Sequence, residues 1–371
     1  MVKIINTVNE KIKISDKNIN TIDTSDNKHP QVEIQKLDVS SENKYVPEEL
    51  KLNTDNNYDY TVSISKLEAS KDRLNSFFNN NTFADSLISY DLKIHTDSCY
   101  ASQGCCQIGD VTQVSSYNTG YGNQIYYNND GTVDYSSIIE FFDSEGHQKT
   151  LLLDNTCHVG GLSYSENLNT LYITEYAAND KKNSGKNNKP TICYYDIDYV
   201  ASLGDGEVLK GTSIELPEES SLTHASYLTV NDNYLYVGDF HTNRLEKYEL
   251  TNNGKSLNYV CSYNTPNSTQ GLCVYNYQGE EYIAFSCSEG RTKDSNLIIM
   301  STESNQLSNF KTIKMPCLSE QVSIDKDGNF MVVFENDTAK YQDGLDNDGR
   351  KCSTDVIDFV CHLDMDKVMN S

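Results

Sequence analysis

From about residue 85 the chain alternates short runs rich in Ile, Val, Tyr and Phe with Gly, Asn, Asp and Ser turns, the texture of an all-β protein. Five segments repeat one pattern: a polar leading residue, small residues, alternating apolar positions, a turn and a second strand. They begin Gln103-Gly-Cys-Cys-Gln-Ile, His158-Val-Gly-Gly-Leu-Ser-Tyr, His224-Ala-Ser-Tyr-Leu-Thr-Val, Gln270-Gly-Leu-Cys-Val-Tyr and Glu320-Gln-Val-Ser-Ile-Asp. Their second strands start at Val111, Thr170, Tyr234, Tyr282 and Phe330. The leading residues lie 55, 66, 46 and 50 residues apart. Repeats of about 40 to 50 residues with four short strands each predict the blades of a β-propeller. The extra length of the second unit is assigned to the exposed Lys/Asn/Gly run 179–189.

The last unit has a third strand at Val356-Ile-Asp-Phe-Val-Cys-His-Leu and then the chain ends. Its fourth strand is expected from Ser86-Leu-Ile-Ser-Tyr-Asp-Leu-Lys-Ile, ahead of the first blade. That closure would remove an open sheet edge. The expectation is therefore an all-β propeller of five blades, closed by an N-terminal strand. A sixth blade within residues 30–85 is the open alternative. The domain division follows: a polar, flexible extension over 1–80, with one helix-capable stretch from Leu67 to Phe78, and the propeller over 81–371.

Composition adds exclusions. The 371 residues carry a formal charge of −24, with 37% hydrophobic residues, no Trp and 26 Tyr. Such acidity argues against nucleic acid and against anionic membranes as partners. No apolar run approaches the roughly 20 residues of a membrane span, and residues 1–6 lack a secretory apolar segment. A cytoplasmic monomer is expected, or a secreted protein if the sequence has been trimmed. The eleven cysteines are an odd number, so they cannot pair completely within one chain, and no CxxC spacing signals a zinc ribbon or a thioredoxin-like redox site; buried reduced thiols are expected.

The strings His158-Val-Gly-Gly, Gln270-Gly-Leu-Cys-Val, Ser288-Glu-Gly-Arg-Thr-Lys-Asp-Ser and Glu320-Gln-Val with its later Val-Val-Phe-Glu resemble a little-characterised group of bacterial propeller proteins. That group is similar, more distantly, to virginiamycin-lyase-like, gluconolactonase-like and NHL-type propellers. The resemblance spans roughly 85–365 and implies the fold. It implies little chemistry, since related propellers include metal-dependent lyases, lactonases and pure binding modules. Gluconolactonase-type members are expected to hold a divalent metal with carboxylates and an Asn, and lyase-like members use His and Glu; this chain matches neither motif residue for residue.

The first strand of each blade lines the channel, so Gln103, His158, His224, Gln270 and Glu320 are candidate ligand-binding residues at its mouth. His158, His224 and Glu320 together could hold one divalent ion, Ca, Mg or Zn; the alternative is a ring bonded to channel water. Arg291 suits an anionic ligand group, unless it pairs locally with Glu289 or Asp294. Glu335, Glu175, His241 and Tyr117 end second strands near the same mouth, and Glu335 or Glu175 is the candidate general base. The segment beginning at Asp343 resembles a short calcium loop but lacks the bidentate Glu of an EF-hand. No phosphate loop, HExxH or GxSxG is present. The expected function is recognition of a small polar or anionic ligand, or a peptide, at the channel mouth. The rivals are a metal-dependent lyase or hydrolase and a protein-interaction scaffold.

Overall fold

The computed structural model describes residues 68, 70–72, 74, 82–95, 98–120, 126–127, 133–134, 136–143, 148–154, 156–175, 190–303, 306–342 and 356–371. Five antiparallel sheets form the blades of a propeller. Blade 1 runs outward through Tyr100–Ile108, Val111–Asn118, Ile138–Asp143 and Gln148–Leu153. Blade 2 uses Leu162–Ser165, Thr170–Thr174, Thr191–Asp196 and Thr212–Glu215. Blade 3 uses Tyr227–Asn231, Tyr234–Asp239, Arg244–Thr251 and Ser256–Asn264, and blade 4 Thr269–Tyr277, Glu280–Cys287, Ser295–Glu303 and Gln306–Met315. Blade 5 combines Ser319–Ile324, Phe330–Phe334 and Phe359–Leu363 with the N-terminal strand Leu87–Leu92 as its outer member. The expected ring closure is therefore present.

Apolar side chains pack between neighbouring blades rather than in one central core. Ile139, Phe141, Leu162, Ile173 and Tyr195 fill the seam of blades 1 and 2. Tyr227, Leu245, Leu272 and Phe285 fill that of blades 3 and 4. The segment corresponding to the expected helix at 67–78 is helical where described, and Leu74 joins the seam of blades 4 and 5 beside Phe83 of the helix Thr82–Ser86. The remainder of the expected extension, the run 179–189 and the calcium-like segment 343–349 lie outside the described residues. Part of the long spacing in the second unit comes from elsewhere. Between its third and fourth strands the chain forms the helix Ile197–Ser202, then Val208–Leu209, which pairs in parallel with the outer strand of blade 1. The fully buried Lys149 donates to Val200 O and Leu203 O at 3.0 Å, satisfying carbonyls at the end of that helix. Nine of the ten described cysteines are buried, and burial pushes the Cys105 thiol up to about 12, leaving it unreactive. No helix among the described residues is long and apolar enough to cross a membrane.

The innermost strands approach closely because glycine occupies the contact points. A Cβ on Gly104 would lie 2.6 Å from Leu162 N, and one on Gly271 would lie 2.5 Å from Gln321 Cα. Where blades 1 and 4 place Gly after their leading residue, blade 5 places Gln321, whose side chain is fully buried. Its Oε1 accepts from Cys105 N at 3.1 Å and Leu162 N at 2.8 Å. Its Nε2 donates to Leu162 O at 2.9 Å and Leu228 O at 3.3 Å. One amide from blade 5 thus ties the inner strands of blades 1, 2 and 3 across the axis.

The ring closure is also held electrostatically. His362 Nδ1 lies 2.9 Å from Asp325 Oδ2 and Nε2 lies 3.0 Å from Asp91 Oδ2. Asp91 additionally accepts from Thr112 Oγ1 of blade 1 at 2.6 Å. Burial opposes charging the imidazole, but the two carboxylates win and raise its pKa to about 9. A raised histidine pKa stabilises fully below the ordinary value near 6.5, and the contribution fades as pH rises through about 9. His362→Gln is therefore expected to cost on the order of 3 kcal/mol near pH 6, with the gap to wild type narrowing by about pH 9.5. Urea midpoints at both pH values measure this; a gap independent of pH would rule out a charged imidazole.

Candidate functional site

Three of the five leading residues sit in irregularities of the innermost strands. Register shifts fall between Ser102 and Gly104, between Thr269 and Gly271, and between Ser319 and Val322. Gln103, Gln270 and Glu320 occupy these bulges, which is how strands otherwise committed to apolar packing re-aim a polar side chain. His158 and His224 precede the inner strands of blades 2 and 3.

The centre of the site is a pair of acids. Glu320 is 2% exposed and Glu335, just beyond the second strand of blade 5, is 6% exposed. The two carboxyls are hydrogen-bonded to one another. Gln103 Nε2 donates to Glu335 Oε2 at 2.9 Å, and the Tyr341 hydroxyl also bonds to Glu335. Burial raises the Glu335 pKa to about 7 against the pull of Tyr341, Lys340, Glu320 and Gln103. Burial raises Glu320 further, reinforced by the charge and hydrogen bond of Glu335. Two buried carboxyls that act on one another cannot both ionise cheaply in a desolvated setting, so the pair favours keeping a proton near neutral pH.

Above the pair lies an aromatic and basic layer. The Tyr117 hydroxyl is 3.5 Å from that of Tyr341, and the Tyr117 ring stacks on His158 with centroids 4.5 Å apart. His158 is exposed as a residue, with one face of its ring covered by Tyr117. Desolvation by the surrounding protein, together with the Lys340 charge, depresses its pKa to about 4, so His158 is neutral at physiological pH. Arg291 is 5% exposed and its guanidinium lies 4.7 Å from the Tyr341 ring centre, with Nη1 donating to Lys340 O at 3.3 Å. The anticipated local partners of Arg291 are engaged otherwise: Glu289 with Lys293 at 3.2 Å and Asp294 with Lys314 at 3.1 Å.

Lys340 and Tyr341 come from the short helix Ala339–Gln342, which sequence reading did not single out. The turn leading into it is pinned on all sides. Asn336 Nδ2 donates to Cys317 O and Asn336 Oδ1 accepts from Ile357 N, both at 2.8 Å. Lys93 Nζ reaches Asp337 at 2.5 Å and Phe334 O at 2.8 Å. Ala339 N donates to Ser98 O at 2.9 Å. These contacts fix the turn that brings Tyr341 beside Glu335 and Tyr117.

The other candidates separate from this centre. His224 and His241 lie together on blade 3, ring centres 4.6 Å apart. The fully buried Asp239 organises both, accepting from His224 N at 3.1 Å and His241 N at 2.8 Å, with His224 Nδ1 3.7 Å away. Gln270 is half-buried between blades 3 and 5. Glu175 turns outward, accepting from Ser213 Oγ of the outer strand of blade 2 at 2.5 Å, and so is not part of the acid centre. Among the described residues no three His, Cys, Asp or Glu side chains converge closely enough to hold a metal ion. The expected convergence of His158, His224 and Glu320 is therefore not found: Glu320 turns to Glu335, His158 to Tyr117 and His224 to His241.

No family model matches the chain, and no curated protein matches it. Solved structures similar to it include Myxococcus xanthus glutaminyl cyclase at 10% identity, covering 67% of this chain and 90% of that one, TM-score 0.41. Pseudomonas aeruginosa periplasmic gluconolactonase is similar at 12% identity, 64% and 66% coverage and TM-score 0.38. Kuenenia stuttgartiensis hydrazine synthase follows at 10% identity, 65% and 58% coverage and TM-score 0.36. The matched region thus spans less than two thirds of the last two proteins. At these identities the likenesses concern architecture, and the five-bladed assignment rests on the strand pairing of this chain itself.

Proposed function

We propose that the protein binds a small polar ligand at the mouth of the propeller, over the Glu320–Glu335 pair. The observation that carries this reading is a pair of buried carboxyls, Glu320 and Glu335, next to a cluster in which Gln103 donates to Glu335 and Tyr117 joins the exposed His158 to Tyr341. Buried carboxyls are costly to a fold and are kept where they contact something. Ligand-observed NMR with neutral polyols, carboxylates, phosphates and short peptides tests the reading. Binding by at least one class, altered in Glu320→Gln/Glu335→Gln, is expected; no binding by any class would overturn it.

A second reading draws on one specific feature: a carboxyl titrating near neutrality can act as a general acid or base. Under that reading Glu335 exchanges the proton, while Glu320, kept protonated by burial and the Glu335 charge, favours the ionised Glu335 by hydrogen bonding. The enzyme alternative then needs no ion held by the three expected ligands. A scaffold role has less support. The large exposed hydrophobic residues among those described, Tyr199, Val208, Val260 and Phe310, are distributed over several blades.

A further inference from the structure

We infer that His224 and His241 form a two-imidazole site on blade 3 for a divalent ion of the Cu(II), Ni(II) or Zn(II) class. The inference is independent of the Glu320–Glu335 pair and stands on how one buried carboxylate assembles the two rings. Blade 3 carries histidine both at its leading position and just after its second strand. Asp239, the last residue of that strand, is fully buried and anchors both. Its Oδ2 accepts from Thr223 N at 2.9 Å, Thr223 Oγ1 at 2.7 Å and His224 N at 3.1 Å. Its Oδ1 accepts from His241 N at 2.8 Å and Thr242 N at 3.4 Å. Burial opposes the charge on Asp239, but the Thr223 hydroxyl and the backbone N–H groups outweigh it and hold its pKa below the usual carboxylate value. The segment entering the blade and the turn after its second strand are thus fastened to one side chain. The two imidazoles come to lie with ring centres 4.6 Å apart and planes 59° from parallel.

That separation suits a shared ion. A metal sits about 2.0–2.1 Å from an imidazole nitrogen, so two rings bound side by side to one ion have centres roughly 4.5–5 Å apart. The placement of protons suits it too. Thr223 Oγ1 gives its single proton to the Asp239 carboxylate, so at 2.9 Å from His224 Nδ1 it acts there as the acceptor. Nδ1 of His224 therefore carries the ring proton and Nε2 the lone pair, the tautomer of a ligating histidine whose other nitrogen is held by an acceptor tied to a carboxylate. His224 is half-buried and His241 exposed, so an ion reaches them from solvent. Asp239 stays out of the ion's shell, because its oxygens serve the turn. Among the described residues no set of three His, Cys, Asp or Glu side chains encloses an ion, so water or a ligand completes the coordination, as at an open metal site. Imidazole nitrogens favour Cu(II), Ni(II) and Zn(II) over the oxygen-seeking Ca(II) and Mg(II).

The test is calorimetry of the full chain, stripped of metal with a chelator and then dialysed, against Ni(II) and Ca(II) near neutral pH. Ni(II) is expected to bind at one site per chain, with Ca(II) weaker there by roughly a hundredfold. His241→Ala should weaken Ni(II) by a similar factor. Thr223→Val, which removes the hydroxyl that orients His224, should weaken it about tenfold or more, and Thr223→Ser should restore it. The electron paramagnetic resonance spectrum of the Cu(II)-loaded chain should show coupling to two imidazole nitrogens, reduced to one in His241→Ala. Circular dichroism establishes that each variant is folded, and His241→Gln serves if the alanine variant is not. Absence of Ni(II) binding, affinity unchanged by His241→Ala, or Ca(II) held as tightly as Ni(II) would overturn the inference. None of these outcomes touches the ligand-binding reading of the acid pair, which is decided by its own probes and its own variants.

Discussion

Gln321→Leu is expected to destabilise the propeller by on the order of 3–6 kcal/mol, the largest effect of any single conservative-volume change at the axis. The wild-type amide satisfies Cys105 N, Leu162 N, Leu162 O and Leu228 O, and it is fully buried. Leucine fills nearly the same space but offers neither donor nor acceptor, so groups on three blades are left without partners. Each such buried orphan costs roughly 1–3 kcal/mol. Set against a total stability of about 5–15 kcal/mol, that loss is severe. Gln321→Ala is expected to cost less than leucine, because the smaller side chain leaves a polar hole that water can enter and bridge. Urea midpoints of the two variants decide between hydrogen bonding and volume as what holds the axis. Alanine proving worse than leucine would show that packing, not hydrogen bonding, holds the axis.

The keystone role of Gln321 was legible in the repeat, though only as an exception. Aligned on their leading residues, Gln103-Gly and Gln270-Gly present a small residue where Glu320-Gln presents a long one. The polar leading residue is the conspicuous member of each repeat, whereas the backbones meet at the position after it. Blade count and ring closure were readable because strand alternation and turns are local signals that repeat five times. The site was readable only in part, for a physical reason. Spacing along a strand says which residues lead each blade, but not which neighbour each side chain turns toward after a bulge. Glu320 and Glu335 were both identifiable, yet their pairing depends on the bulge between Ser319 and Val322. His224 was drawn away by Asp239, an acid at the end of the second strand whose oxygens are committed to the backbone of its own turn.

The helix Ala339–Gln342 and the turn before it were less legible still. Residues 335–342 carry no motif, and their position follows from long-range contacts: Lys93 and Ser98 are more than two hundred residues away in sequence. The available signal was that a lysine, Lys93, directly follows the ring-closing strand, where burial would demand a partner.

That partner makes Lys93→Met a second change of large effect, and one whose size depends on pH. Lys93 is 4% exposed and Asp337 2% exposed, and the pair joins the end of the ring-closing strand to the turn that carries Tyr341. Burial raises the Asp337 pKa to about 6 even with the ammonium alongside. At about pH 8 the wild type holds an ion pair, while the variant must either bury a lone carboxylate or protonate it; because the Asp337 pKa lies about two units below pH 8, a cost of up to about 2.7 kcal/mol relative to pH 5 is expected. At about pH 5 the sign of the comparison weakens. Asp337 is then mostly protonated in the folded wild type, so Lys93 is the charge left without its counterion, and methionine removes that charge while retaining the volume. The two proteins should accordingly have nearly equal urea midpoints in acid and diverge as pH rises through about 6, the direction expected of a carboxyl whose folded pKa lies above its unfolded value. Because the same turn positions Lys340 and Tyr341, the variant should also lose affinity for any ligand of the mouth under conditions where it remains folded. A variant equally unstable at both pH values would place the lost energy in the packing of the lysine stem and its bond to Phe334 O, and would remove the ion pair from the account of how that turn is held.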